Sequence, residues 1–129
     1  MKTAIELITE ERHRQIDKEG WSKEHDDSHT DGELLRAGLA YVQHAHGKHH
    51  PPKGFLWAQD HGWPWDIPSW KPSTPYRDFI KGGALIQAEL DRLLRLPNHF
   101  GKTKAALLDC EAWLNRLMTE PPADVCPQK

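Results

Sequence analysis

Residues 24–33 contain an unusual density of side chains that bind metals, cations and protons. This ten-residue segment holds five carboxylates and two imidazoles, and Trp21 precedes it. Imidazole nitrogens and carboxylate oxygens are common ligands of Zn, Mn and Fe. One interpretation is therefore a divalent-metal site, whose predicted ligands are His25, Asp26, His29 and Glu33.

The other interpretation of this segment is structural or ligand hydrogen bonding. Asp26 and Asp27 would accept hydrogen bonds from backbone amides of a loop. Glu33 would lie near the positive end of the helix that follows. The residues leave both interpretations open, and they imply no cofactor other than the divalent metal.

A second group of candidate residues combines aromatic planes with cations. Trp63, Trp65 and Trp70 precede Lys71, and Arg77 and Lys81 follow. Indole rings beside Lys or Arg suit a stacked base or sugar with a phosphate nearby. The predicted ligand-binding set joins these residues to the acidic segment: Trp21, Asp26, Asp27, His29, Trp63, Trp65, Trp70, Lys71, Arg77 and Lys81. The alternative is that the Trp side chains only fill the core.

Two pairs of carboxylates raise a further possibility of metal-dependent chemistry. All-α nucleotide pyrophosphohydrolases hold Mg²⁺ with carboxylates from two helices. Their E-E-x-x-E pattern is broken here by Arg14 after Glu10 and Glu11, and E-x-x-D is replaced by Glu89 and Asp91 two residues apart. The spacing favours ion pairs exposed to solvent on helix surfaces.

Four segments have the apolar periodicity and end signals of helices. Thr3 with Glu6, and Thr30 with Glu33, fit capping boxes, and Pro75 fits the first position of a helix capped by Thr74. The predicted helices span residues 4–19, 31–46, 75–96 and 102–118.

Residues 47–74 separate the second predicted helix from the third. They contain five of the ten prolines and four of the six tryptophans. Because disordered segments avoid aromatic residues, we expect an ordered loop that packs its own Trp side chains. The fold class predicted is all-α, a small bundle of about four helices with a long Trp/Pro-rich crossover loop.

Length and composition narrow the function classes. The 129 residues predict a single domain over 1–120, followed by a flexible tail at 121–129. Seventeen Lys and Arg against nineteen Asp and Glu leave no basic surface of the kind that binds nucleic acid. No apolar segment has membrane length, and Cys110 and Cys126 are too few for a disulfide framework. We expect a cytoplasmic protein.

Much of the chain resembles a known group of sequences. The resemblance covers roughly residues 5–95, and its motifs are EGWxxEHDDxHxxGEL at 19–34, WPW at 63–65, WKP at 70–72 and RDxxKxGALIxAE at 77–89. In these motifs the chain resembles a family of small phage and prophage proteins of unassigned function. The resemblance implies an accessory role in the host cell, such as countering host defence or adjusting nucleotide pools.

A fainter resemblance is to the ryanodine-receptor-type repeat domain. That domain has a helix, a Gly-Trp, an acidic loop and two further helices. Lys23 and Glu24 replace its Tyr-Gly, and its His-Pro is missing. This resemblance implies a module that recognises small, nucleotide-derived molecules.

Three functional hypotheses follow, and one structural observation separates two of them. The leading hypothesis is a module that binds a small nucleotide-like ligand for sequestration or counter-defence. The alternatives are a metal-dependent nucleotide phosphohydrolase and a protein that inhibits a host factor through exposed Trp residues. Buried Trp side chains that line a concave pocket would favour the first hypothesis over the third. A homodimer is compatible with each, because Gly82 and Gly83 could pack against a partner helix.

Overall fold

The computed structural model describes residues 3–47, 49, 51–95, 105, 108 and 111–116. Three long helices within these residues are α1 (Ala4–Glu19), α3 (Glu33–His46) and α5 (Pro75–Arg95). The connections hold α2 (Lys23–Asp27), α4 (Phe55–Asp60) and a 3-10 helix (Ile67–Ser69). No strand occurs in the described part of the chain, so the all-α prediction is confirmed. No helix in that part is both long and apolar enough to cross a membrane.

Helix α1 begins and ends where the sequence predicts. The Thr3 hydroxyl accepts the Glu6 N–H at 3.2 Å, and the Thr3 N–H donates to the Glu6 carboxylate at 2.8 Å. This reciprocal pair satisfies two donors that the first helical turn leaves open. Gly20 follows the helix in the left-handed conformation, with φ 76°. Glycine adopts that conformation without strain, which ends the helix.

Helix α3 begins two residues later than predicted. Gly32 occupies its N-cap with φ 80°, and no side chain caps the helix there. The Glu33 carboxylate accepts the N–H of Asp31 at 2.8 Å instead of completing a box with Thr30. The predicted Thr30–Glu33 capping box is therefore wrong, because a left-handed residue cannot continue a right-handed helix.

Contact between glycine backbones sets the distance between α3 and α5. A Cβ added to Gly38 would lie 2.8 Å from the Gly82 carbonyl oxygen, and one added to Gly82 would lie 2.6 Å from the Gly38 carbonyl oxygen. The next residue, Gly83, allows an equally close approach of α1, since a Cβ added there would lie 2.5 Å from Ile8 Cδ1. The two glycines of α5 therefore pack against helices of this same chain.

The segment from 47 to 74 is more regular than a single irregular loop. It contains α4 and the 3-10 helix, so that part of the prediction is wrong. The six residues Phe55–Asp60 contain no Pro or Gly that would interrupt a helix. Trp63 and Trp70 are buried against Tyr41 of α3, with ring centroids 5.3 and 4.8 Å from the tyrosine ring. The segment is thus fixed to the bundle by its own aromatic side chains, as predicted.

A buried histidine and aspartate attach both ends of this segment to the helices. His44 Nδ1 and Asp78 Oδ2 are 2.7 Å apart, and neither side chain is exposed. The Lys53 N–H donates to His44 Nε2 at 3.0 Å, and the Ser73 N–H donates to Asp78 Oδ1 at 2.8 Å. Because Nε2 accepts a hydrogen bond, Nδ1 carries the proton and donates to Asp78.

Helix α5 begins at Pro75, where the Thr74 hydroxyl accepts the Arg77 N–H at 3.2 Å, as expected for an N-cap. Its predicted last residue, Leu96, lies outside the described residues. Of the predicted helix at 102–118, residues 111–116 are helical. Cys110, Cys126 and the tail predicted at 121–129 also lie outside the described residues.

Gly82→Ala should destabilise the fold despite the better helix propensity of alanine. The added methyl would meet the Gly38 carbonyl, and overpacking of this kind costs about 1–3 kcal/mol of the free energy of unfolding. Urea unfolding measures the change. Gly54→Ser is the control, because a Cβ there meets nothing within 4 Å and serine is a favoured N-cap for α4. Equal stability of the two variants would contradict the close helix contact.

Asp78→Asn should loosen the attachment of the 47–74 segment. The NH2 group of an asparagine would face either the Ser73 N–H or the His44 Nδ1–H, so that donor would lose its acceptor. The expected cost is about 1–3 kcal/mol of the free energy of unfolding. Urea unfolding followed by Trp fluorescence tests this. Asp60→Asn, on the exposed end of α4, is the matched control and should shift stability by less than about 0.5 kcal/mol.

Candidate functional site: a cleft between α1, α5 and the Trp-rich segment

A cleft of about 400 Å³ opens between α1, α3, α5 and the segment around Trp63 to Ser73. We call it the central cleft. Its walls combine aromatic rings, cations and carboxylates in one concave surface. The lining residues are Glu11, Arg14, Gln15, Glu19, Trp21, Tyr41, Trp63, Trp65, Ser69, Lys71, Ser73, Arg77, Lys81 and Leu85.

Aromatic rings form one wall of the central cleft. Trp63 meets Trp65 edge to face, with centroids 5.4 Å apart, and meets Tyr41 in the same way. The Trp63 indole N–H donates to the Ser69 hydroxyl at 3.3 Å. Because these rings are fixed by their neighbours, they offer a preformed apolar surface to a flat ligand.

A buried carboxylate holds two of the arginines that line the central cleft. Glu11 accepts two hydrogen bonds from Arg14, at 2.8 and 2.9 Å, and one from Arg77 at 2.9 Å. Burial alone would raise the pKa of Glu11, but the hydrogen bonds and charges of the two guanidinium groups more than offset it and hold that pKa below its ordinary value. Glu11 therefore stays ionised and orients both cations.

Lys81 and Tyr41 line the central cleft together, and we call this pair the base of the cleft. The Lys81 ammonium group donates to the Lys71 carbonyl at 2.5 Å and lies 5.1 Å from the centroid of the Tyr41 ring. Burial lowers the pKa of Lys81, and burial raises the pKa of Tyr41 to about 12. The Tyr41 hydroxyl accepts the Lys71 N–H at 3.1 Å, so the tyrosine is a neutral part of this base.

The charge of the central cleft differs in sign from that of the chain. Four cations (Arg14, Lys71, Arg77 and Lys81) line it with two carboxylates, whereas the whole chain has a formal net charge of −2. An excess of positive charge in an apolar concave site attracts anions. The arrangement suits a small anionic ligand with a planar group.

The acidic segment does not reach the central cleft. The Asp26 carboxylate is fully buried and accepts a hydrogen bond from Arg12 Nη2 at 2.6 Å. Asp27 pairs with Arg95 at 2.7 Å on the surface. Trp70 is also outside the cleft lining, because its indole N–H donates to the Lys53 carbonyl behind Tyr41.

The predicted metal ligands are not assembled into a coordination site. Among the residues that the structure describes, no three His, Cys, Asp or Glu side chains are placed to hold one metal ion. Asp26 accepts a hydrogen bond from Arg12 and also lies 3.4 Å from His25 Nδ1, and Glu33 accepts the N–H of Asp31, so both carboxylates are already engaged within the fold. Asp26 therefore has a structural role, but its partners are the side chains of Arg12 and His25 and not the backbone amides that we predicted.

His25 and His29 line a separate hollow of about 360 Å³, which we call the side pocket. It shares Trp21, Trp65 and Ser69 with the central cleft. The structure thus brings together six of the ten residues of the predicted ligand-binding set in the cleft and places His29 next to it. The six are Trp21, Trp63, Trp65, Lys71, Arg77 and Lys81.

Sequence reasoning missed the contribution of α1 and Tyr41. It assigned the charged residues of α1 and α5 to solvated ion pairs, but Glu11 and Glu89 are only 3% and 1% exposed. Glu89 is paired with Arg92, also buried, and is not in the cleft lining. The available signal was the polar run of α1 at positions where a bundle helix needs apolar residues.

Comparisons with protein-family models, with curated proteins and with solved structures found no match to this chain. The resemblance to small phage and prophage proteins stays a prediction.

Loss of the Glu11 carboxylate should change how stability depends on pH. Since the folded pKa of Glu11 is below the ordinary value of 4.5, its ionisation stabilises the fold above that pH, and this contribution is lost as the pH falls through the folded pKa. Glu11→Gln should have a shallower loss of unfolding free energy below pH 4.5 than the parent chain. Urea unfolding at pH 7, 5, 4 and 3 tests this. Parallel curves for the two proteins would contradict the depressed pKa.

Proposed function

We propose that this chain is a phage-type accessory protein that binds a small nucleotide-like ligand in the central cleft and sequesters it in the host cytoplasm. The observation that carries the proposal is the meeting of preformed aromatic walls with an excess of cations in one concave site. A nucleotide needs both features, because it joins a planar ring to an anionic phosphate.

Each wall has a distinct part in this proposal. Arg77 and Arg14 would donate to phosphate oxygens, for which the planar guanidinium group is well suited. In the described side-chain hydrogen bonds of Arg77 only Nη2 donates, to Glu11, and the side chain is 39% exposed. Lys81 would add a positive charge at the base of the cleft, where partial burial strengthens its attraction for an anion.

The position of the Trp residues supports binding of a small molecule over docking of a host protein. Trp63 and Trp70 are buried, and Trp57 and Trp65 are partly buried. Trp63 and Trp65 line the cleft.

The catalytic alternative is a metal-dependent phosphohydrolase. It needs a group of carboxylates free to hold a metal, whereas Glu11, Asp26 and Glu89 each pair with arginine.

Binding of ADP, measured by isothermal titration calorimetry, tests the proposal. Arg77→Ala should weaken ADP binding by about 10- to 100-fold, because a hydrogen bond to a charged group contributes about 1.5–3 kcal/mol. Lys81→Met should weaken it in the same direction. Arg95→Ala is the control, because Arg95 pairs with Asp27 outside the cleft. Equal affinity of Arg77→Ala and Arg95→Ala would contradict the proposed site.

Recovery of the nucleotide separates sequestration from catalysis. Nucleotide that is retained by the protein should be released intact on heating, with Mg²⁺ or Mn²⁺ present throughout. Conversion to a product would instead support the phosphohydrolase.

A further inference from the structure

The central cleft differs in chemistry between its two ends. At one end Glu11, Arg14 and Arg77 also line a small hollow beside Tyr76. At the other end the cleft shares Trp21 and Trp65 with the side pocket. These two neighbouring hollows share no lining residue. A ligand that spans the cleft therefore meets guanidinium groups at one end and aromatic rings at the other.

The walls of the side pocket form a continuous series of rings. Trp21 stacks on His25, with centroids 5.7 Å apart and planes 8° from parallel. His25 meets His29 edge to face at 4.9 Å, and His29 in turn lies 5.0 Å from Trp65. Stacking surfaces of this kind suit a planar heteroaromatic ring, and the imidazole nitrogens can hydrogen bond with its polar edge.

One of the two histidines of the side pocket, His29, has a pKa that favours its neutral form. Burial and the neighbouring His25 lower the pKa of His29 below its ordinary value of 6.5. At neutral pH its imidazole is uncharged, so one nitrogen donates and the other accepts. None of the four cations of the central cleft lines the side pocket, which therefore suits a neutral base.

From this polarity we infer that the side pocket is the nucleobase subsite of the ligand. The phosphates bind at Arg14 and Arg77, the sugar crosses Tyr41 and Trp63, and the base passes between Trp21 and Trp65 to lie against His25 and His29. The inference rests on the proposed function and makes it specific. The ligand class is an elongated nucleotide, and His25 and His29 determine which base is accepted.

A comparison of pyrophosphate with nucleoside diphosphates, which differ from it by the nucleoside, tests this inference. The probes are pyrophosphate and the nucleoside diphosphates ADP, GDP, CDP and UDP, titrated separately into the full chain. We expect at least one nucleoside diphosphate to bind at least 10-fold more tightly than pyrophosphate. His29→Ala should remove that advantage and leave pyrophosphate affinity within twofold, because His29 does not line the central cleft.

Matched variants keep the result independent of folding. His25→Ala removes the adjacent ring and should act like His29→Ala, whereas His13→Ala removes an exposed imidazole of α1 and should leave both affinities unchanged. Thermal unfolding of each variant confirms that it is folded.

The outcomes distinguish this inference from the proposal that it rests on. Tight pyrophosphate binding with no nucleoside advantage would overturn the nucleobase subsite and leave an anion site in the cleft. A nucleoside advantage that survives both histidine variants would overturn it too, and would place the base on Trp63. If none of the five probes binds the parent chain, the proposed function fails, and the subsite fails with it.

Discussion

The close contact between the backbones of α3 and α5 is the constraint on which the rest of the structure depends. Gly38 and Gly82 lie against each other's carbonyl groups, and neither position has room for a side chain. This contact fixes the positions of the neighbouring residues on both helices. Tyr41 is about one turn from Gly38, and Lys81 is adjacent to Gly82, so the ammonium group comes to lie 5.1 Å from the tyrosine ring. The base of the central cleft is therefore a consequence of helix packing.

Buried carboxylates that pair with arginine do so in two ways in this small bundle. Arg12 with Asp26, and Arg92 with Glu89, are buried pairs that neutralise each other inside the fold. Removing one partner of such a pair would leave an uncompensated buried charge, which is costly. Glu11 differs, because its one carboxylate faces two guanidinium groups. Arg14 also pairs with Glu19 at 3.1 Å, so the two carboxylates of the cleft balance its two guanidinium groups. The excess positive charge, which makes the cleft attractive to an anion, is that of Lys71 and Lys81.

Local signals were sufficient to predict the long helices. The Thr3–Glu6 capping box, the left-handed Gly20 and the Thr74 cap of α5 each depend on residues within a few positions of one another. Gly32 shows the limit of such reasoning, since its left-handed conformation moved the start of α3 past the predicted cap. The short helix α4 was missed because the surrounding prolines dominate the composition of its segment.

The candidate site was predicted in part, and the errors have a common cause. Trp63, Trp65, Lys71 and Arg77 are near one another in sequence and converge as expected. The partners of Glu11 and Asp26 depend on how α1 turns toward α5 and α2, over sequence separations of 66 and 14 residues. Spacing along one chain cannot fix such a contact. A carboxylate whose chemistry suits a metal ligand is therefore found in an ion pair with an arginine.

Nuclear magnetic resonance of the indole N–H groups during titration with nucleotide tests the central claim most directly. We expect the signals of Trp21, Trp63 and Trp65 to shift, because these rings line the cleft, and those of Trp57 and Trp113 to stay in place. Shifts confined to Trp57 and Trp113, or no shift at saturating nucleotide, would contradict it.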